Sequence, residues 1–246
     1  MPSSRHERAA RNAGYRTIAG LDEAGRGALF GPVFAAAVVL DPARPIRGLD
    51  DSKQLDPERR QVLAERIRER SLGWAVGACD AFEIDRVNIL EASRLSMQRA
   101  YESLSRRPDF LLPDFLLIDA LRLSVAVPQK PLIRGDALCF SIAAASILAK
   151  VARDAALRAW DPVFPAYGFA RNKGYGTPDH LDALRRFGPT PMHRFSFEPV
   201  RRAVPGAMLP NPSIHQTTSG HVSGVMHWTG YPQRASIPQI ELFVCR

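Results

Sequence analysis

The segment Gly20-Leu21-Asp22-Glu23-Ala24-Gly25-Arg26-Gly27 decides how this chain is read. Two adjacent carboxylates close an apolar run that begins at Thr17, and an arginine flanked by glycines follows. Neighbouring side chains on a regular strand point to opposite faces, so Asp22 and Glu23 can share a site only where the strand ends or bends. Glycines 25 and 27 make such a bend accessible, because no Cβ restricts their φ. Taken alone, the segment also fits a plain acidic strand end followed by a turn.

Outward from it, Gly31-Pro32 leads into a second apolar run, Val33 to Leu40, so the order is strand, glycine-rich loop, strand. Asp56-Pro57-Glu58 opens a helix through its N-cap aspartate and first-turn proline, with Val62, Leu63 and Ile67 as the apolar stripe. Gly73 to Cys79 is a third strand. Apolar spacing from Ile84 to Leu104 predicts one long helix, ended by Arg106-Arg107-Pro108. Phe115 to Ile118 is a short apolar strand of the kind that lies inside a sheet covered on both faces. Pro108-Asp109-Phe110-Leu111-Leu112 repeats in the next five residues, a local duplication that lengthens a loop.

The Ala-rich stretch Ala137 to Leu157 predicts a buried helix with a wet end at Lys150 and Arg153. Strands alternating with helices imply an α/β layer domain over residues 15–206. Residues 1–14 are expected to be a flexible leader. Residues 207–246 carry only Arg234, Glu241 and Arg246 as charges, and this Ser-, Gly- and Pro-rich tail is expected to be disordered.

At 246 residues, 46% of them apolar and 24% charged, the chain buries a sizeable core without staples. Cys79, Cys139 and Cys245 are odd in number and far apart, which excludes a disulfide scaffold and a cysteine zinc site. The run Val33 to Leu40 is far short of the roughly 18 to 20 apolar residues that span a bilayer. The polar, Arg-rich start has no apolar signal core, so a cytoplasmic protein without a membrane partner is expected. The net charge is +8, and with lysine only at positions 53, 130, 150 and 173 it is mostly arginine, which suits a phosphate-bearing polyanion.

Asp119 follows the apolar strand Phe115 to Ile118 and is placed either for a cleft or for a turn. Asp136 directly precedes the Ala-rich helix and is placed either as its N-cap or as a ligand. Hard carboxylate oxygens without nearby Cys or His suit magnesium or manganese rather than zinc. Such carboxylates in a basic protein point to metal-assisted phosphodiester chemistry, with two ions stabilising the attacking and departing oxygens. In Arg171-Asn172-Lys173-Gly174-Tyr175-Gly176-Thr177, Tyr175 either stacks on a base or sugar or packs inward in a glycine turn. His193-Arg194 offers at most a phosphate contact.

Together these segments resemble bacterial ribonuclease HII, in the type 2 branch of the RNase H family. The resemblance runs from about Tyr15 to about Arg202. It rests on Gly20 to Gly27 with Gly31-Pro32, Asp51-Ser52-Lys53, Ile84-Asp85 with Asn88-Ile89-Leu90, Ile118-Asp119, Gly135-Asp136, Ser141 to Val151 with Arg153-Asp154, and Asn172 to Thr177. It implies an RNase H-like mixed β-sheet flanked by helices, with a small helical C-terminal portion that helps to clamp the substrate. Asp22, Glu23, Asp119 and Asp136 match the four acidic metal-binding positions, with Asp154 as the nearest alternative for the fourth. Gly25, Arg26 and Gly27 would read the 2′-hydroxyl that separates RNA from DNA, and Tyr175 would stack beside the next sugar. Lys53 and Lys173 would contact phosphates.

The implied activity is endonucleolytic cleavage on the 5′ side of a ribonucleotide, in an RNA/DNA hybrid or embedded in duplex DNA. It would leave a 3′-hydroxyl and a 5′-phosphate, use two Mn2+ or Mg2+ ions, serve ribonucleotide removal from DNA, and be carried by a monomer. Two departures are Arg134, where lysine is usual, and Ala120, where glycine is common; the tail 207–246 has no counterpart. A non-catalytic nucleic-acid-binding module would lack one of the acids. A ribonuclease HIII-type enzyme would carry an N-terminal domain ahead of its core, where residues 1–14 stand here. A basic structural protein would not need the ordered motifs.

Overall fold

A computed structural model describes residues 2–105 and 112–204. Its strands are β1 (Ile18–Ala24), β2 (Val33–Val39), β3 (Gly73–Cys79), β4 (Phe115–Asp119) and β5 (Gln129–Leu132). They form one sheet in the order β3-β2-β1-β4-β5. Strand β2 is antiparallel to both β1 and β3, whereas β4 and β5 run parallel to β1, so the sheet is mixed. The helices are α1 (Arg5–Asn12), α2 (Pro57–Arg70), α3 (Ala81–Val87), α4 (Ile89–Ser105), α5 (Gly135–Leu138), α6 (Phe140–Trp160), α7 (Phe169–Asn172), α8 (Pro178–Phe187) and α9 (Glu198–Arg202).

Strand β2 is buried along its whole length, and its pleat divides the two cores. Ala35, Ala37 and Val39 join Leu21, Ile118 and the α4 residues Met97, Ala100 and Leu104 on one face. Ala36 and Val38 join Leu63 and Ile67 of α2 and Ala144, Ile147 and Leu148 of α6 on the other. The alternation is small-residue rich because the helices lie close. A Cβ on Gly20 would sit 2.2 Å from the Ser141 carbonyl carbon in α6, and one on Gly77 would sit 2.3 Å from the Ser96 carbonyl oxygen in α4. A third cluster under α7, α8 and α9, including Phe30, Trp160, Phe169, Leu184 and Val200, forms the small helical C-terminal portion.

Asp56 caps α2 as its sequence predicts, accepting from the Arg59 backbone N–H at 2.8 Å with Pro57 in the first turn. Three expectations change. The leader expected to be flexible contains α1, which is held by a buried carboxylate: Glu7 Oε1 accepts from the Ser141 backbone N–H at 2.8 Å and from Cys139 Sγ at 3.2 Å. An anchor of that kind leaves no apolar periodicity to read. The single helix over 84–104 is two, because Asn88 takes a φ of 72° and its side chain caps α4 by accepting from the Leu90 and Glu91 N–H groups. The Ala-rich helix likewise splits at Cys139, which is extended, into α5 and α6. Edge strand β5, with its Gln-Lys-Pro-Leu sequence, gives no strand signal. The first copy of the duplicated pentapeptide, apart from its last residue Leu112, and the tail 207–246 lie outside the described residues.

Because Gly20 meets backbone rather than a movable side chain, Gly20→Ala is expected to separate α6 from β1. A loss of at least about 3 kcal/mol in urea unfolding, or no folded protein, is the expected outcome. A melting curve close to wild type would contradict the close approach.

Candidate active site

The last registered pair between β1 and β4 is Leu21 with Ile118, so the next residues, Asp22 and Asp119, emerge at the same end of adjacent parallel strands. Glu23 joins them as the strand runs out into Gly25, whose φ is 97°. Carboxylate oxygens of Asp22, Glu23 and Asp119 all lie within 4.8 Å of one another. Asp136 is placed beside this group rather than in it: the backbone N–H of Gly135 donates to Asp119 Oδ1 at 2.6 Å, and Asp136 Oδ2 lies 3.4 Å from Lys53 Nζ. It does not cap α6, whose N-terminal residue Cys139 makes no side-chain cap.

The cluster is electrostatically costly. Burial pushes the Asp22 carboxyl well up, and the charges of Glu23, Asp119 and Asp136 push it further, with a hydrogen bond from Ser146 opposing. Burial also raises Glu23, against the opposing charge of Arg26, and raises Asp119, against the Gly135 N–H. Hard oxygens converging under mutual repulsion, with no His or Cys among them, fit a divalent cation of the magnesium or manganese type.

Around the cluster the other site residues divide. Lys53 faces Asp136 and, at 3.8 Å, Asp51. Its loop is tied to the cluster through Ser52, whose hydroxyl pairs with that of Ser146 at 2.8 Å. Arg26 Nη1 is 3.4 Å from Glu23 Oε1, and the Arg26 carbonyl accepts from Arg194 Nη1 at 2.8 Å. A Cβ on Gly27 would meet nothing within 4 Å, so the backbone there is open to a ligand. Tyr175 is 38% exposed, with the Arg153 guanidinium over its ring at 5.2 Å. A bond from Leu29 N–H to the Gly174 carbonyl at 2.8 Å joins its loop to the glycine-rich one. Lys173 is not brought to the carboxylates, since its ammonium donates to the Ala170 carbonyl. Asp154 is held instead by Lys150 at 2.6 Å and Arg60 at 3.6 Å.

Two expectations are corrected here. His193 and Arg194 are fully buried, so neither touches a phosphate. Arg153, expected at the wet end of its helix, is also fully buried. Sequence reasoning missed Ser52, Ser146, Arg153 and His180 as parts of the site's support. Ser146, Arg153 and His180 are polar residues of helices and Ser52 sits in a polar turn, and only the tertiary partner gives each its meaning.

The histidines form a directed chain. The Thr190 backbone N–H donates to His193 Nδ1 at 2.9 Å, so the proton of His193 sits on Nε2 and is donated to His180 Nε2 at 3.0 Å. His180 Nδ1 then donates to the Tyr175 carbonyl at 2.8 Å. Both rings are neutral in this arrangement, packed among Phe30, Tyr167 and Phe169.

The ribonuclease HII family model matches residues 19–200. The chain belongs to the ribonuclease HII family. It is 61% identical over 195 residues to ribonuclease HII of Solibacter usitatus, covering 79% of this chain and 83% of that one. It is 54% identical over 198 residues to ribonuclease HII of Koribacter versatilis, covering 80% and 76%. Among solved structures it is similar to ribonuclease H2 of Pyrococcus horikoshii, with a TM-score of 0.64 and 26% identity, covering 76% of this chain and 97% of that one. Family membership makes this chain a ribonuclease H, an endonuclease acting on RNA/DNA hybrids, with an RNase H-like fold.

Burial and the adjacent His180 lower the His193 pKa to about 3, and burial lowers that of His180. A histidine whose folded pKa is depressed contributes stability that is present above the unfolded value of about 6.5 and lost as pH falls towards the folded value. The buried carboxylates have raised pKa values and act in the opposite direction, so the histidine contribution is read as a difference between proteins. Between pH 7.5 and pH 5, the wild type is expected to lose about 2 kcal/mol more in urea unfolding than His193→Asn. Equal pH slopes for the two proteins would contradict the neutral chain.

Proposed function

We propose that this ribonuclease hydrolyses the phosphodiester on the 5′ side of a ribonucleotide, in an RNA/DNA hybrid or embedded in duplex DNA. The products are a 3′-hydroxyl and a 5′-phosphate, and the role is removal of ribonucleotides from DNA. The observation that carries this reading is the adjacency of two features. Three converging carboxylates have oxygens within 4.8 Å of one another, and the Gly25-Arg26-Gly27 loop begins two residues after the second of them.

Asp22, Glu23 and Asp119 would hold one or both of two Mn2+ or Mg2+ ions, with Asp136 as the fourth ligand. When bound, such ions stabilise charge on the attacking and departing oxygens of the phosphodiester. The protein's own groups supply position. The open backbone at Gly27 offers peptide groups to the 2′-hydroxyl, the one group that distinguishes a ribonucleotide from a deoxyribonucleotide at that position. The half-exposed Tyr175 ring stacks on the neighbouring sugar. Lys53, exposed along most of its side chain, is placed to meet a phosphate at the mouth of the cluster, and arginines supply most of the remaining positive field. Lys173 contributes to that field only in part, since its ammonium is engaged by a carbonyl.

A gel assay on a DNA duplex containing one ribonucleotide, with Mn2+, with Mg2+ and with chelator, tests the reading. A metal-dependent nick 5′ of the ribonucleotide is expected. Asp22→Asn should lower cleavage at least about a hundredfold while binding of the duplex in chelator stays close to wild type, since the change removes a metal ligand and no phosphate contact. Full turnover by that variant would overturn the metal-site assignment. Cleavage of a long hybrid but not of the single-ribonucleotide duplex would overturn the single-nucleotide reading.

A further inference from the structure

Arg153 is a costly residue to bury. Its side chain is fully buried near the middle of α6, and among the described residues its Nε and Nη1 have no hydrogen-bond partner, whereas Nη2 donates to the Lys173 carbonyl at 2.8 Å. The neighbouring carboxylate, Asp154, is taken by Lys150 and Arg60. Burying a guanidinium without an ion-pair partner is strongly unfavourable, and an apolar side chain of similar length would serve packing better.

What Arg153 touches gives it a purpose. A Cβ on Gly25 would lie 2.0 Å from Arg153 Nε, so the glycine-rich loop rests directly on the guanidinium. The same group lies over the Tyr175 ring at 5.2 Å, a cation–π contact strengthened by the absence of water. Its remaining bond fixes the backbone two residues before that tyrosine. One rigid planar group therefore meets both the loop that follows the carboxylates and the Tyr175 ring. Lysine, a point charge on a flexible stem, cannot make these contacts together. The second buried arginine, Arg194, differs: it binds the Arg26 and Gly31 carbonyls and packs on Phe197 rather than on the Tyr175 ring.

We propose that Arg153 is a positioning residue that sets the Tyr175 ring against the Gly25-Arg26-Gly27 loop, and that ribonucleotide selectivity depends on this spacing. The inference rests on the proposed role of those two elements in reading the ribonucleotide. Arg153 touches no substrate; it acts through the loop and the ring.

The test is a double-mutant cycle of Arg153→Met and Tyr175→Leu, read as kcat/KM on the single-ribonucleotide duplex with Mn2+. Arg153→Met is expected to lower kcat/KM about tenfold or more in the wild-type background and less than about threefold in the Tyr175→Leu background. A merely structural arginine would cost the same factor in both backgrounds, so additive losses overturn the proposal while leaving the role of Tyr175 standing. Unchanged cleavage by Tyr175→Leu alone overturns both. If Arg153→Met does not fold, Arg153→Lys is run through the same cycle. It is expected to show the same dependence on the ring, and wild-type activity for it overturns the proposal.

Discussion

Like charges crowded at the ends of two adjacent parallel strands constrain everything else in this molecule. Parallel pairing of β1 with β4 brings Asp22 and Asp119 out together, and the bend at Gly25 lets Glu23 join them. Burial then leaves each carboxyl reluctant to ionise beside the others. The fold answers with a few directed contacts rather than with neutralisation: Ser146 on Asp22, the Gly135 N–H on Asp119, Arg26 on Glu23 and Lys53 on Asp136. Each opposes the repulsion partly. What is left over is a site whose electrostatic deficit a divalent cation is suited to relieve.

The close approach of α6 to the sheet follows from the same need. Gly20 admits the α6 backbone against β1, which brings Ser146 to Asp22 from one side of the sheet and carries Arg153 under the glycine-rich loop further along the helix. A single helix thus supports the carboxylates near its first turns and the loop near its middle. The hydroxyl pair of Ser52 and Ser146 extends that support to the Lys53 loop. Helix α6 is hydrophobic almost all round because it does this from inside, and its buried polar residues, among them Ser146, Arg153 and Asp154, are committed to a partner or to the loop above.

This division explains what was legible in the sequence. Strands β1 to β4 were readable because their apolar runs are short and bounded by glycine, proline or charge, and α2 because Asp56 and Pro57 mark its start. The acids at strand ends were visible as residues, yet their convergence was not, since it depends on which strands pair and in what direction. The breaks at Asn88 and Cys139 were invisible because a positive φ or one extended residue leaves the apolar spacing nearly intact. Helix α1 and the partners of Arg153, His180 and His193 were illegible for a common reason. Their stability comes from buried polar bonds whose partners stand at unrelated spacings along the chain, and such bonds leave no period.

The neutrality of the histidine pair belongs to the same electrostatic arrangement. Arg153 and Arg194 already place two guanidiniums beneath the glycine-rich loop, and Arg194, desolvated and facing Arg153, has its pKa lowered to about 9. A protonated imidazole nearby would add a third buried cation and leave two donors facing each other across the His180 to His193 bond. The Thr190 N–H prevents this by fixing the acceptor on His193 Nδ1, which orders the chain of donors as far as the Tyr175 carbonyl. Tyr175 is therefore held twice, through its ring by a cation that has no carboxylate partner among the described residues and through its backbone by a chain that works only while uncharged. Charge on the first support and its absence from the second are compatible because the two act on different atoms of one residue.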